Sequence, residues 1–297
     1  MDSISQKMRV FFKKEDLLRL ILILFFVTLL GYPRAPYACT VWAVAGEKAD
    51  IKGTIIGKNR DNSPHLITRM NFVSPEKGHK IFGLFDIEAD GYIIGGINDK
   101  GLAVFNASAM GVPKEKRHVA TEDFTERLLK TFNSVDDVLK NQDMLSRSHP
   151  ALYMLADPFL IAMIEVAPEG RIAVKKTDSG VLAFTNHYID TGLSGENKNS
   201  TLGSKERLRR IGHLLSLKNK AFSIEDFIAI SEDRGGGPDY SIWRTGSSPE
   251  KVRTLGSLII AIPVTGLPEV YIKLANPGEE NIVFRGRLDF SRMTIQP

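Results

Sequence analysis

The order of hydrophobic patterns predicts a layered α+β domain built on antiparallel sheets. Strand-like runs come in blocks instead of alternating singly with helices, helical periodicity is confined to two blocks, and neither repeat nor long linker interrupts residues 39–297. Residues 40–45 and 53–58 are rich in Val, Ile and Thr and flank a polar stretch, which reads as a strand pair. Residues 92–97 and 102–106 flank Asn98-Asp99-Lys100-Gly101, a turn sequence with glycine where positive φ is easiest. Over 121–145 the period becomes helical: Phe124, Leu128, Leu129 and Phe132 share one face, and Ser134 to Asp137 has the spacing of a capped restart. Strands are expected over 153–156, 161–166, 172–176 and 182–185. Helices follow over 204–217 and 223–230, the second opened by Ser223 and Asp226. Residues 241–244, 254–263, 269–274 and 281–290 close the chain as strands. Gly235-Gly236-Gly237-Pro238 has no Lys-Ser/Thr helix start behind it, so it reads as a loop and not as a phosphate cradle.

The amino terminus has a different composition. Residues 7–19 are basic and residues 20–32 form an uncharged apolar run, the pattern of a secretory signal peptide. At ~1.5 Å per residue that run spans about 20 Å as a helix, short of a ~30 Å hydrocarbon core, so a membrane-spanning anchor is the weaker reading. Ala38 supplies the small residue wanted before a cleaved bond, although Pro36 is less usual there than alanine. The expected division is a signal peptide over 1–38 and one mature domain over 39–297, secreted or periplasmic, with no stable membrane anchor after processing. The 39 basic and 35 acidic residues give +4, but six of the basic and three of the acidic residues lie in 1–38, which leaves 33 and 32. That balance argues against a nucleic-acid partner. The six histidines show no ligand spacing and there is one cysteine, so neither a metal nor another cofactor is expected.

That cysteine, Cys39, leaves an exported chain with a thiol that no intrachain disulfide can consume. A lone cysteine is usually buried and inert, yet the first position of a mature chain favours chemistry. An N-terminal cysteine carries its own base, because an α-amine titrates at about 7.7–8.0 and needs no histidine partner. The thiol, at about 8.5, needs nearby cations or backbone donors to exist as thiolate. Lys58 and Arg60 are the candidates by sequence.

Ala38-Cys39-Thr40 with Gly57-Lys58-Asn59-Arg60-Asp61, the block Gly96 to Val104, and Thr185-Asn186-His187-Tyr188 resemble, in order, the N-terminal-nucleophile cysteine hydrolases. The group resembled is that of choloylglycine hydrolase, penicillin V acylase and acyl-coenzyme A:6-aminopenicillanate acyltransferase. Leu155-Ala156-Asp157, Ile164-Glu165 and the segment Ser204 to Leu208 also fall in order, so the similarity runs from residue 39 to about residue 275. It implies a four-layer αββα sandwich with two antiparallel sheets. It further implies that Cys39 attacks, that Asp61 hydrogen-bonds the α-amine, and that the Asn186 amide donates to the oxyanion, a donor worth roughly 10²–10³ in rate. A second oxyanion donor is implied from the backbone after Gly101, near Asn106, although the spacing there departs from the bile-salt hydrolase branch. Lys58 stands where the group commonly has arginine, which keeps the charge and loses the planar fork. Arg207 matches a later arginine that would support the site.

Taken without the resemblance, Asp61 and Asn62 also fit a turn ahead of Ser63-Pro64, and Asn186 a strand-end cap. His187 reads as a packing or supporting residue, Asp157 and Glu165 as structural, and Trp42, Phe82, Phe85 and Trp243 as core before acyl pocket. The activity expected is hydrolysis of a linear amide (N-acyl) bond of a small molecule through a Cys39 thioester, with acyl transfer as the close variant. The opposing class is a non-catalytic exported lipoprotein acylated on Cys39. Pro36 weakens it, since lipoprotein signals place leucine there. An uncleaved, membrane-anchored binding domain would leave Cys39 without a free amine. A homo-oligomer is left open.

Overall fold

The computed structural model describes residues 38–87, 91–117 and 123–297. The expected signal peptide up to residue 37 and the first two residues of the 121–145 helical pattern lie outside them. β1 (Ala38–Ala45) and β2 (Gly53–Asn62) form the antiparallel pair that carries Cys39. β3 (Thr68–Val73) and β4 (Ile81–Asp86) follow, then β5 (Tyr92–Asn98) and β6 (Ala103–Ser108), joined by the turn in which Gly101 has φ +86°. Helices α1 (Phe124–Thr131), α2 (Val135–Leu139) and α3 (Gln142–Leu145) lead into β7 (Ala151–Ala156), β8 (Ile161–Val166), β9 (Ile172–Thr177) and β10 (Gly180–Phe184). After α4 (Leu202–Ser216), α5 (Ile224–Ser231) and α6 (Gly237–Tyr240) come β11 (Arg253–Pro263), β12 (Glu269–Leu274), β13 (Ile282–Asp289) and β14 (Thr294–Gln296).

The strands form two seven-stranded antiparallel sheets, one ordered β10-β1-β2-β11-β12-β13-β14 and the other a meander from β3 to β9. Side-chain alternation along β1 makes the layers. Cys39, Val41, Ala43 and Ala45 enter the core between the sheets, together with Ile56, Phe82, Phe105 and Met154. Trp42 and Val44 point the other way, into a cluster with Ile211, Phe227 and Ile230 of α4 and α5. On the outer face of the second sheet, Val104, Tyr153 and Ile164 pack against Phe124, Leu128, Val135 and Leu145 of α1–α3. The result is the expected αββα sandwich, because a sheet apolar on both faces needs cover on both. Gly57 is fixed by this packing, since a Cβ there would lie 2.8 Å from the Trp42 ring.

Several expected boundaries change. β2 runs to Asn62, so Asp61 and Asn62 are strand residues and not a turn. The pattern over 121–145 resolves into three short helices, broken at extended Phe132 and again at Asn141. Residues 241–244 are not a strand. A short helix, α6, with Pro238 in its first turn replaces the expected loop, and Ile242 and Trp243 then turn inward, the Trp243 N–H donating to the Asp233 carbonyl. Trp42, Phe82 and Trp243 are buried, as expected, and Phe85 is half-buried against the cluster under α1–α3.

Candidate active site

The register of β1 and β2 sets the site. Cys39 lies opposite Arg60 and Ala38 opposite Asp61. Cys39, Lys58 and Arg60 share the face between the sheets, whereas Asn59 and Asp61 face the helices, as period-two alternation requires. Cys39 is 6% exposed.

Lys58 crosses to the second sheet and enters a split between two strands. β5 and β6 pair only through Gly95↔Phe105, Gly96↔Val104 and Ile97↔Ala103, so past Gly95 their carbonyls face a gap. The Lys58 ammonium fills it, donating to the carbonyl of Ile94, to the Asn106 carbonyl at 2.7 Å and to Asn106 Oδ1 at 3.1 Å. Burial pushes Lys58 down to about 8, against the opposing pull of the neighbouring Cys39 thiol. Asn106 itself donates from Nδ2 to the Ile93 carbonyl at 3.2 Å and to Thr125 Oγ1 at 2.7 Å. Both its amide hydrogens are engaged, so its side chain supports Lys58 and has no hydrogen left for an oxyanion.

Asp61 sits behind Ala38 with no exposure. Its Oδ1 accepts from Thr254 Oγ1 at 2.7 Å, while Oδ2 has no hydrogen-bond donor and lies 3.8 Å from Arg207 Nη1 and 3.6 Å from Arg244 Nη1. Burial raises its pKa, and Arg207, Arg244 and the Thr254 hydroxyl pull it back. Thr254 is held in turn by the Arg244 N–H. A bulge follows: Thr254 pairs with Asp61 but Gly256 with Arg60, so Leu255 is the extra residue. Arg207, from the first turns of α4, donates to the Cys39 carbonyl at 2.5 Å, to Thr40 Oγ1 at 2.8 Å and to Asn186 Oδ1 at 3.0 Å.

Asn186 follows β10. Its Oδ1 accepts the Cys39 N–H at 2.8 Å, and its Nδ2 donates to the Ser108 carbonyl at 3.1 Å. An amide nitrogen has two hydrogens, so one remains. The segment around it is held at several points. Ser204 Oγ accepts the Asn186 N–H and meets His187 Nδ1 at 2.7 Å. Glu165 accepts the N–H groups of Ile189 and Asp190, and Tyr188 donates to the Val166 carbonyl. Burial, with Lys205 and Arg207 nearby, lowers the His187 pKa, which suits a neutral supporting residue. Asp157 accepts from the N–H groups of Val135, Phe159 and Leu160 and is a structural node.

The structure thus brings Cys39, Lys58, Asp61, Asn186 and Arg207 together and leaves the Asn106 side chain one step removed, behind Lys58. A cavity of about 200 Å³ adjoins them, lined by Ala38, Met110, Asn186, Arg207, Tyr240 and Arg244 among others. A larger one of about 730 Å³, under α1–α3, shares no lining residue with it. Arg244 and Thr254 were not legible as site residues. They belong to no motif, and only the fold brings them to Asp61.

The profile described as acyl-coenzyme A:6-aminopenicillanic acid acyl-transferase matches residues 48–278, most of the chain and every one of these site residues outside β1. The chain belongs to this acyl-transferase family. No curated protein matches it significantly in sequence. Among solved structures it is similar to a mutant of conjugated bile acid hydrolase from Clostridium perfringens, with a TM-score of 0.51 and 14% identity over 82% of this chain and 96% of that one. It is also similar to penicillin V acylase from Agrobacterium tumefaciens, with a TM-score of 0.51 and 15% identity over 84% of this chain and 86% of that one. At such identities these two likenesses establish the shared αββα fold, and the acyl-transferase family assignment rests on the profile.

Proposed function

We propose that this chain, once residues 1–38 are removed, hydrolyses a linear N-acyl amide with Cys39 as nucleophile and its own α-amine as base. One observation carries the reading: the Cys39 nitrogen points at Asn186 Oδ1 at 2.8 Å, one register step from a buried Asp61 oxygen that has no donor. Converting that nitrogen from amide to amine gives it the extra hydrogens and lone pair that such surroundings suit. The amine takes the thiol proton and the thiolate adds to the acyl carbon. The remaining Asn186 amide hydrogen stabilises the oxyanion. The leaving nitrogen takes the proton back from the α-ammonium, and a thioester forms on Cys39. Water activated by the same amine then releases the acid. An amine in place of that water makes the step acyl transfer. Membership of an acyl-transferase family and the amide-cleaving neighbours of the same fold support this reading.

The test is a turnover panel of N-acyl amino acids, conjugated bile salts, penicillin V and acyl-homoserine lactones on the chain beginning at Cys39. Release of free amine, with one acyl mass added transiently to the protein, is expected for at least one class. No turnover and no acyl adduct across the panel would overturn the reading, as would a lipid mass on Cys39 in the exported protein.

Lys58 gives this site a pH signature. Its charge favours the thiolate below about 8 and is lost as pH rises through that value. The parent's kcat/KM should therefore fall on an alkaline limb near 8, and Lys58→Arg, which stays charged, should move that limb upward. A limb that stays put in the variant would assign the titration to another group.

A further inference from the structure

All three N–H groups of the Lys58 ammonium go to protein oxygens: the Ile94 carbonyl, the Asn106 carbonyl and Asn106 Oδ1. The Lys58 ammonium is thus held in place with no donor left for a sulfur. Arg60 is in the opposite condition. It lies two residues further along the same face of β2, is the register partner of Cys39, and is 2% exposed. Only Nη2 is engaged, donating to Asp86 Oδ2 at 2.5 Å, while Nε, Nη1 and the second Asp86 oxygen, Oδ1, are buried with no hydrogen-bond partner. Buried guanidinium N–H groups left unpaired are unfavourable, so an acceptor is to be sought nearby.

The surroundings make room for this side chain. The bulge at Leu255 brings Gly256, with no side chain, opposite Arg60 on the β11 side. On the β1 side the neighbour is Cys39, and Cβ atoms of directly opposed residues lie about 4.5–5.5 Å apart in an antiparallel pair. The Arg60 side chain therefore leaves β2 next to Cys39 and ends on Asp86 in the other sheet. A neutral thiol is a weak acceptor, but a thiolate accepts readily.

We infer that Arg60 is a further catalytic residue, which donates from Nε or Nη1 to the Cys39 thiolate while Asp86 holds the far end of the guanidinium. Lys58 and Arg60 then divide a task that one cation could perform alone: Lys58 supplies the field and Arg60 the hydrogen bond. Arg207 does not duplicate it, because its donors go to the Cys39 carbonyl, Thr40 and Asn186.

The inference rests on Cys39 being the nucleophile, but its test needs no substrate. Cys39 is the only thiol of the chain, so alkylation reports on it alone. Rates with iodoacetamide are measured against pH on the chain beginning at Cys39, for the parent, Arg60→Met and Arg60→Lys, with circular dichroism as the check on folding. Arg60→Met should move the midpoint of the rate profile up by about one pH unit or more, the scale of losing a cation close to a titrating group. It should also lower the rate with anionic iodoacetate relative to neutral iodoacetamide, and Arg60→Lys should restore part of both. A folded Arg60→Met chain with the parent's midpoint and reagent ratio would overturn the inference. If that chain does not fold, Asp86→Asn keeps the guanidinium and removes the competing charge; its midpoint should fall, and an unmoved midpoint would equally overturn the inference. Absence of turnover in the parent panel would count against the proposed function and leave these readouts standing.

Discussion

Cys39→Ser should fold like the parent and lose turnover by a factor on the order of 10⁴ or more. The substitution is nearly isosteric at a position 6% exposed, so the sheets and the Lys58 bridge across them have no reason to change. The loss is chemical. A hydroxyl is far less acidic than a thiol, the α-amine is only a modest base, and the buried cations have less to stabilise in an alkoxide that hardly forms. The measurement is kcat/KM on the best substrate of the panel, with circular dichroism to confirm the fold. A folded Cys39→Ser chain working within a few-fold of the parent would remove Cys39 from the role of nucleophile, and with it the thioester.

Much of this arrangement was legible in the sequence for identifiable reasons. Cys39 stood out by being single and next to a cleavage-type junction, and the capping pair Ser223 and Asp226 opens α5 where the pattern put it. The strands that were read have β-branched runs bounded by turns. β3 and β4 lack that signal: Arg69, Met70 and Asn71 blur the alternation in one, and Gly83 interrupts the other. The reach of β2 was underestimated because Lys58, Asn59, Arg60, Asp61 and Asn62 are all polar. Polar residues extend a strand here because Lys58 and Arg60 find partners across the sheets, Asn59 among the helices and Asp61 on the neighbouring strand, and no local pattern encodes such partners. The same cause hid Arg244 and Thr254, and it hid the use of the Asn106 side chain, whose amide serves Lys58 and Thr125. Propensity and periodicity record what a segment does alone. A buried polar site is assembled from tertiary contacts that neither contains.

A chain that carries one uncleavable extra residue before Cys39 should fold normally and be nearly inactive, although its thiol and all its neighbours remain. In that chain the Cys39 nitrogen is an amide, as it is in the full-length chain, and donates its one hydrogen to Asn186 Oδ1. An amide nitrogen takes no proton near neutral pH, so general-base help of typically 10²–10⁴-fold is withdrawn. The extra residue would occupy the place of Ala38, opposite Asp61 and on the wall of the 200 Å³ cavity, and would also stand in the way of a leaving amine. These two effects separate experimentally. Loss of the base lowers kcat for every substrate, whereas obstruction raises KM most for bulky leaving groups. Trimming the added residue with an aminopeptidase should restore both, and intact mass before and after fixes which species is assayed. Full activity from a chain verified as still extended would defeat the terminal-amine mechanism. The base would then have to be a side chain, and His187, though held by Ser204 with its pKa lowered, would be the first to replace.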